Sequence, residues 1–207
     1  MSIKKIMFLL ALLFDITVLS MPFKARCAPF SSAQKNLMKE TVFDLIDNAK
    51  KSLLVSMFTF TDKQAARKLS LAKARGVRVR VVMDHASSSK KYFIKDILEE
   101  FDIPTSVYKK SDAINHNKYV VVDDNKVWMS SMNWTDAAYH RNCESGILLY
   151  SRAIASFYEK DFKHTETLIK HQYKNEIAER KKFLKEMAAE RKKHKDALAK
   201  IKSSKKR

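Results

Sequence analysis

Residues 116–133 read HNKYVVVDDNKVWMSSMN, in which two short apolar runs flank a polar turn. The first run, Tyr119 to Val122, is continuous and rich in β-branched residues, which is typical of a buried strand. The second run, residues 127–129, follows the polar residues 124–126. The segment therefore predicts a buried strand, a turn and a second short strand that brings the chain back to where the first one began.

Four polar residues at the ends of these runs have the chemistry of a phosphate site. His116 and Lys118 are two residues apart, so their side chains point to the same side of an extended segment. Ser131 and Asn133 follow the second run, which returns a hydroxyl and an amide to the same place. An imidazole can act as a nucleophile, while an ammonium, a hydroxyl and an amide can bind phosphate oxygens. The pattern therefore predicts a histidine nucleophile beside phosphate-binding side chains.

The spacing of these residues resembles the HKD motif of the phospholipase D superfamily, HxK(x)4D(x)6GSxN, and is most similar to the small endonuclease branch of that superfamily. The similarity continues into Trp134 and Thr135, and into Glu144, where small members carry a glutamate. It covers about residues 47–164. One position departs from the motif: Ser130 stands where the superfamily has glycine, which would allow any backbone conformation.

The resemblance implies a metal-independent phosphodiesterase mechanism with two histidines. Neutral His116 would attack phosphorus and form a phosphohistidine, while a second, protonated histidine would protonate the leaving oxygen; water would then reverse the roles. The chain contains one copy of the motif, because no other histidine has a lysine two residues later. The resemblance therefore implies a two-fold homodimer with both copies of His116 in one composite active site.

The same resemblance implies roles for the other motif residues. Lys118 and Asn133 of each subunit would neutralise the non-bridging phosphate oxygens, and Ser131 would donate a further hydrogen bond. Glu144 would accept a hydrogen bond from the other ring nitrogen of His116 and so fix its tautomer.

Asp123 completes the motif and is the sixth candidate site residue, but its position favours a structural role. Alternation along a strand places it on the opposite face from His116 and Lys118. A carboxylate beside a turn commonly accepts hydrogen bonds from backbone amides. We therefore expect Asp123 to support the site rather than to contact the phosphate.

The rest of the similar region alternates helical and extended patterns. Asp62 and Gly76 are placed to begin and to end one of the helices. This alternation predicts an α/β fold, and the resemblance implies the phospholipase D-like α/β sandwich with a central mixed β-sheet flanked by helices. The predicted helices are residues 32–51, 62–75, 92–101 and 154–165, and the predicted strands are residues 53–60, 77–83, 104–108, 119–122, 127–129 and 146–150.

The N-terminus has the pattern of a secretory leader. Two lysines precede an apolar stretch from residue 6 to residue 19, which Asp15 interrupts and which is too short for a comfortable membrane span. We therefore predict a signal peptide within residues 1–28, cleaved after Ser20 or after Cys27. The protein would be secreted or periplasmic, and an uncleaved membrane anchor is the alternative.

The two cysteines, Cys27 and Cys143, predict no structural disulfide. Cys143 lies beside Glu144 in a predicted apolar strand, where a cysteine is more often a small buried residue. Cleavage of the leader after Cys27 would also remove its potential partner.

The chain is predicted to contain a phosphodiesterase domain, residues 29–169, and a Lys/Arg-rich helical tail, residues 170–207. The tail has 15 Lys or Arg and five Asp or Glu, so it carries more than half of the net charge of +18. It lacks Gly and Pro, which favours a helix, and its apolar residues form at best a weak coiled-coil stripe. We expect an arm that contacts nucleic acid or an anionic membrane, with a solvated helix as the alternative.

The favoured function is a non-specific endonuclease acting on DNA or RNA, because the high positive charge suits nucleic acid better than lipid. The motif recognises a phosphodiester and not its substituents, so a phospholipase D that hydrolyses phospholipid headgroup esters is the first alternative. A catalytically weak nucleic-acid-binding protein is the second, and Ser130 is the motif departure that supports it. The sequence has no CxxC, HExxH or DxD-type cluster, so no metal or cofactor is predicted.

Overall fold

The computed structural model of the protein describes residues 25–33, 36–85, 94–110 and 112–204, with side chains up to residue 192. The chain divides after residue 163 into two compact units. The predicted signal peptide lies outside the described residues except for positions 25–28. In chain order the elements are β1 (Arg26–Ser31), α1 (Leu37–Asn48), β2 (Ser52–Met57), α2 (Lys63–Ala74), β3 (Arg78–Asp84), α3 (Ile94–Glu100), β4 (Thr105–Tyr108), β5 (Lys118–Val122), β6 (Lys126–Ser130), α4 (Asp136–His140), β7 (Ser145–Tyr150) and α5 (Arg152–Ser204).

Within the described residues, seven strands form one sheet in the order β1-β7-β6-β5-β2-β3-β4. Strands β2, β3 and β4 pair in parallel, and helices α2 and α3 lie in the connections between them. Strands β5, β6, β7 and β1 pair antiparallel, and β5 joins the two halves by pairing antiparallel with β2. The predicted α/β fold with a central mixed sheet is therefore confirmed.

The strand that follows His116 lies at the centre of this sheet. Every residue of β5 and of its neighbour β2 is buried. Strands that are covered on both faces require near-continuous apolar sequence, which explains the uninterrupted run Tyr119 to Val122. A side chain at the end of such a strand is held by a rigid frame, which favours a precisely positioned site.

Helix α2 begins and ends at the residues that the sequence indicated. The carboxylate of Asp62 accepts a hydrogen bond from the backbone N–H of Gln64 at 2.7 Å, as an N-cap does. Gly76 follows the helix with φ of +89°, a conformation that strongly favours glycine. The buried side chains of α2 face the sheet core, and Leu69 is completely buried among them.

Strand β1 was not predicted from the sequence. It pairs antiparallel with β7 at the edge of the sheet, where its side chains alternate between exposed and half-buried. Pro29 is tolerated there because an edge strand can do without one ladder donor. The strand crosses the boundary that the sequence analysis placed between residues 28 and 29, so cleavage after Cys27 would remove two of its six residues.

Both cysteines are free and exposed. Cys27 lies in β1 opposite Leu149 of β7. Cys143 lies in the turn before β7, and not inside an apolar strand as the sequence analysis expected. This expectation was wrong because β7 begins at Ser145, two residues after Cys143.

The predicted helical character of the tail is confirmed by α5. A covering helix up to residue 165 and a separate tail were predicted, whereas α5 is a single helix that no Gly or Pro interrupts. In the second unit, the side chains of Ile177, Phe183 and Leu184 are exposed. Among the described residues, no helix combines the length and the apolar character needed to span a membrane.

Candidate active site

His116 lies on a short connection that enters β5, and its neighbours in sequence are anchored. The backbone N–H of Asn115 donates to the carboxylate of Asp84 at 2.8 Å, and Asn115 is buried. The backbone carbonyl of Asn117 accepts from the N–H of Phe58 at 2.8 Å. His116 itself is exposed. A fixed backbone therefore presents an imidazole to solvent.

The ring of Phe58 brings His116 and Lys118 together. The centroids of the Phe58 and His116 rings are 4.6 Å apart, with an interplanar angle of 54°. The Nζ of Lys118 lies 5.1 Å from the centroid of the Phe58 ring, within the range of a cation–π contact. It also donates to the backbone carbonyl of His116 at 2.8 Å. An imidazole and an ammonium thus share one aromatic surface, as the two-residue spacing predicted.

Lys118 is buried, with 9% of its surface exposed. Burial lowers the pKa of its ammonium, and the negative charge of Glu144 offsets part of this effect. An ammonium has three donors, and the His116 carbonyl takes one of them. A partly desolvated cation with remaining donors attracts an anion more strongly than a hydrated one does, and this suits a phosphate oxygen.

The amide of Asn133 is oriented by the segment that follows β2. Its Oδ1 accepts from the backbone N–H of Thr59 at 3.1 Å, so the Nδ2 group is its donor end. The backbones of Thr59 and Trp134 bond at 3.0 Å, and Phe60 forms an isolated parallel bridge with Trp134. These bonds explain why β2 ends at Met57, earlier than predicted: residues 58–61 leave the strand to hold the end of the motif.

Ser131 and Glu144 form a hydrogen-bonded pair. The hydroxyl of Ser131 donates to one oxygen of the Glu144 carboxylate and accepts from the backbone N–H of Ser145 at 3.0 Å. The side chain of Asn142 donates to the other carboxylate oxygen at 3.1 Å. The expected bond from His116 to Glu144 is not made between these described residues. The register of β6 and β7 accounts for this difference, since it places Ser131 beside Ser145 and hence beside Glu144.

Asp123 lies at the other end of β5 from His116. Asn117 and the five residues of β5 separate them, and β5 alone is roughly 17 Å long. The Asp123 carboxylate accepts from the backbone N–H groups of Lys50, Lys51 and Ser52, at 2.7 to 3.2 Å. With φ of 51° it also begins the turn between β5 and β6. The geometry agrees with the structural role that strand alternation favoured.

Ser130, the departure from the motif, occupies a position that does not need glycine. It is the last residue of β6 and pairs with Gly146 of β7. It is not among the described residues with positive φ, the region in which glycine would be favoured. Its hydroxyl donates to the carbonyl of Met132 at 3.4 Å. Serine is therefore compatible with the backbone of the motif.

An open pocket of about 460 Å³ adjoins Glu144. The sequence did not indicate this pocket, because its lining comes mainly from the start of α1, from α4 and from the segment between α4 and β7, which only the fold brings together. Phe58 and Lys39 also went unnoticed: nothing in the sequence distinguishes the first from an ordinary core residue or the second from a solvated helix lysine. The polar and charged residues that line the pocket are Ser32, Asn36, Lys39, Tyr139, His140, Arg141, Asn142, Cys143 and Glu144.

In the part of the chain that the structure describes, no three His, Cys, Asp or Glu side chains are grouped in a way that could hold a metal ion. The polar groups at this end of the central strands are the imidazole of His116, the ammonium of Lys118, the amide of Asn133 and the Ser131–Glu144 pair. Ammonium and amide N–H groups are donors, so this set suits the binding of an oxyanion.

The chain matches a known family over most of the sheet-containing unit. Residues 42–165 match the profile of the family described as cardiolipin synthase, PLD-like domain. The chain belongs to this family, and thus to the phospholipase D superfamily. This agrees with the resemblance carried by the motif.

Individual relatives fall into two groups. The chain is 32% identical over 113 residues to a phospholipase D of Rickettsia conorii, covering 55% of this chain and 56% of that protein. It is 31% identical over 118 residues to the mitochondrial cardiolipin hydrolase of Xenopus tropicalis, covering 57% and 56%. The chain thus spans little more than half the length of these relatives.

Among solved structures, Nuc of Salmonella typhimurium matches with a TM-score of 0.62 and 24% identity, covering 69% of this chain and 94% of that one. NucT of Helicobacter pylori matches with a TM-score of 0.64 and 18% identity, covering 69% and 96%. At these identities the likeness shows the phospholipase D fold.

Proposed function

We propose that this chain is a metal-independent phosphodiesterase that hydrolyses DNA or RNA without marked sequence preference. The observation that carries the proposal is the arrangement around Phe58, where an exposed imidazole, His116, lies beside the buried ammonium of Lys118. A nucleophile next to a desolvated cation is what attack on a phosphodiester requires. Family membership supports the same reaction class.

The chemistry proceeds in two displacements. A ring nitrogen of His116 attacks phosphorus, and the bond to the leaving oxygen breaks as a second, protonated histidine gives that oxygen a proton. Water then attacks the phosphohistidine, the second histidine takes a proton from the water, and the phosphorus–nitrogen bond breaks. Lys118 and the donor end of Asn133 bind the non-bridging oxygens, on which charge accumulates.

The second histidine comes from a second copy of the chain. The sequence contains one HKD motif, and the two steps require a nucleophile and an acid of the same type at one phosphorus atom. A two-fold axis through the site would supply both His116 side chains from identical surfaces. We therefore propose a homodimer with a composite active site.

Nucleic acid is the favoured substrate because of charge. The net charge is +18, and a polyanion that binds such a surface releases its counterions. The test is a cleavage assay with a chelator present, in which single-stranded DNA, double-stranded DNA and RNA are the substrates. It compares the wild type with His116→Ala and, as a matched control, His171→Ala, since His171 is an exposed histidine of α5.

We expect wild-type cleavage to persist in the chelator and to be unaffected by His171→Ala. His116→Ala is expected to lose at least about 10³-fold in kcat, because removal of a nucleophile leaves only binding and electrostatics. Activity abolished by the chelator would contradict the metal-independent chemistry. Binding of nucleic acid without turnover by the wild type would favour the catalytically weak binder instead.

Phospholipid is the second candidate substrate, and one observation favours it. Ile114 lies two residues before His116 and is 56% exposed, so an apolar side chain borders the mouth of the site. The relatives named phospholipase D and cardiolipin hydrolase agree with this alternative. Vesicles of anionic phospholipid belong in the same assay. Release of the headgroup alcohol at a rate above nucleic acid cleavage would identify lipid as the substrate.

A further inference from the structure

Lys39 is held between two aromatic rings beside the candidate active site. Its Nζ lies 4.8 Å from the centroid of the Tyr139 ring and 5.2 Å from that of Phe43. Burial and the negative charge of Asp62 raise the pKa of the Tyr139 hydroxyl, so this ring stays neutral at ordinary pH. Two ring faces can fix an ammonium in place without neutralising its charge.

The ammonium of Lys39 has no carboxylate partner among the side chains that the structure describes, whereas the acidic groups near it are engaged. Glu144 accepts from Ser131 and Asn142. Asp136 pairs with Arg141, and the Nε2 of His140 lies 3.8 Å from the Asp136 carboxylate. One oxygen of Asp62 caps α2 through Gln64, and the other lies buried on the side of the Tyr139 hydroxyl and forms no ion pair with Lys39. The charge of Lys39 is therefore available to an anion from outside the chain.

Lys39 also lies where two depressions of the surface join. The pocket of about 460 Å³ runs from Lys39 to Glu144. A second depression, of about 230 Å³, shares Lys39, Tyr139 and His140 with the first. Together they form a groove, and one of its ends adjoins the Ser131–Glu144 pair of the candidate site. Burial lowers the pKa of Lys118 and the negative charge of Glu144 offsets part of this effect, so this end of the groove lies near the ammonium of the candidate site, and a long substrate bound there has a path toward Lys39.

We propose that Lys39 binds the phosphate next to the scissile phosphate of a polynucleotide. The inference rests on the proposed function, because it assumes that the scissile phosphate lies at His116. Every phosphate in a nucleic acid strand has a neighbour, so a fixed cation along the groove recognises the strand whatever its bases. Lysine contributes a compact point charge with three donors, which suits one phosphate oxygen at a time.

The test compares a substrate that has a neighbouring phosphate with one that has none. A single-stranded oligonucleotide is the first, and bis(p-nitrophenyl) phosphate, which holds a single phosphodiester, is the second. The variants of the full-length protein are Lys39→Gln and the charge-conserving Lys39→Arg. The matched control is Lys126→Gln, since Lys126 begins β6 at the end away from Ser130.

On the oligonucleotide, Lys39→Gln is expected to raise KM about tenfold and to reduce the slope of log KM against log salt by about 0.7, the loss of one phosphate contact on a single strand. Its kcat is expected to stay within about twofold of wild type, because the lost contact is made equally in the ground state and the transition state. Hydrolysis of bis(p-nitrophenyl) phosphate is expected to be unchanged. Lys39→Arg is expected to keep most of the affinity, and Lys126→Gln to resemble wild type.

Two outcomes overturn the proposal. An unchanged KM and salt slope for Lys39→Gln would show that the lysine does not reach the strand. Equal losses on both substrates would show that Lys39 supports the fold of the site. Failure of the proposed function itself is distinguished by His116→Ala: if that variant hydrolyses both substrates at the wild-type rate, the chemistry lies elsewhere.

Discussion

The ammonium of Lys118 donates a 2.8 Å hydrogen bond to the backbone carbonyl of His116, so the candidate phosphate-binding cation also orients the segment that carries the candidate nucleophile. The side chain is buried and lies against the ring of Phe58. Burial of a cation lowers the stability of the folded protein, and such destabilising groups are retained at active sites where catalysis needs the charge.

Replacement of Lys118 by methionine should therefore separate activity from stability. Lys118→Met removes the charge and keeps most of the side-chain volume, so we expect kcat to fall by about 10² to 10³-fold while the free energy of unfolding stays level or rises. Urea denaturation at pH 7 measures the second quantity. A large loss of stability would show that the ammonium is mainly structural.

The pH dependence of this stability difference has a definite sign. Burial lowers the pKa of Lys118 in the folded protein, so the burial cost is present below that folded pKa, where the ammonium is charged. As the pH rises from the folded pKa toward the unfolded value, the folded protein releases the proton first and the cost disappears. The stability advantage of Lys118→Met should therefore shrink on the alkaline side of neutrality. A difference that widens with rising pH would contradict this origin.

Phe58 is expected to position His116 and Lys118 and to take no part in the making or breaking of bonds. Its ring contacts both His116 and Lys118, so Phe58→Leu should lower kcat by about 10-fold or more through misplacement of the two groups. Phe58→Tyr keeps the aromatic face and should restore most of the rate. Steady-state kinetics of both variants, with unfolding curves to verify the fold, provide the test. Equal rates for the leucine and tyrosine variants would show that the ring face is irrelevant.

Asp123 is expected to affect stability and not chemistry. Asp123→Ala removes the acceptor for the backbone N–H groups of Lys50, Lys51 and Ser52, and we expect a loss of about 2 to 4 kcal/mol in the free energy of unfolding. Asp123→Asn keeps one acceptor oxygen and tolerates the positive φ, so its loss should be smaller. Turnover per folded molecule should match wild type, and a reduced kcat in the folded asparagine variant would place Asp123 in the catalytic machinery.

The basic tail is expected to contribute affinity for polyanions. Removal of residues 170–207 deletes 15 Lys or Arg and five Asp or Glu, so binding of an oligonucleotide should weaken by at least about tenfold and depend less on salt. Hydrolysis of bis(p-nitrophenyl) phosphate serves as the internal control and should not change. Unaltered affinity and salt slope would identify the tail as a solvated helix without this role.

The sequence predicted the centre of the fold well because burial leaves a strong pattern. The run Tyr119 to Val122 must be continuously apolar to fill a strand covered on both faces, and β5 lies there. The cap of α2 at Asp62 was equally predictable, since the capping hydrogen bond joins residues that are close in sequence. Strand β1 was missed because an edge strand with Pro29 and exposed side chains carries no such pattern.

The candidate site was predictable in its residues but not in its contacts. The motif identified His116, Lys118 and Asn133, and the structure brings them to one end of the central strands. The partner of Glu144 was not predictable, because it depends on the register between β6 and β7, which no short motif encodes. The role of Lys39 was not predictable for a similar reason: Phe43 lies one turn further along the same helix, but Tyr139 belongs to α4 and only the fold brings it to Lys39.

The most direct test of the account is to trap the covalent intermediate. The wild type is mixed with substrate labelled at the scissile phosphate and quenched at alkaline pH, which preserves phosphohistidine, and peptide mass spectrometry then locates the label. We predict that His116 of the wild type carries the labelled phosphoryl group, still esterified to the retained part of the substrate, that His116→Ala loses the label completely, and that Lys39→Gln is still labelled. Turnover without the labelled phosphoryl group on His116, or label that persists in His116→Ala, would contradict the mechanism.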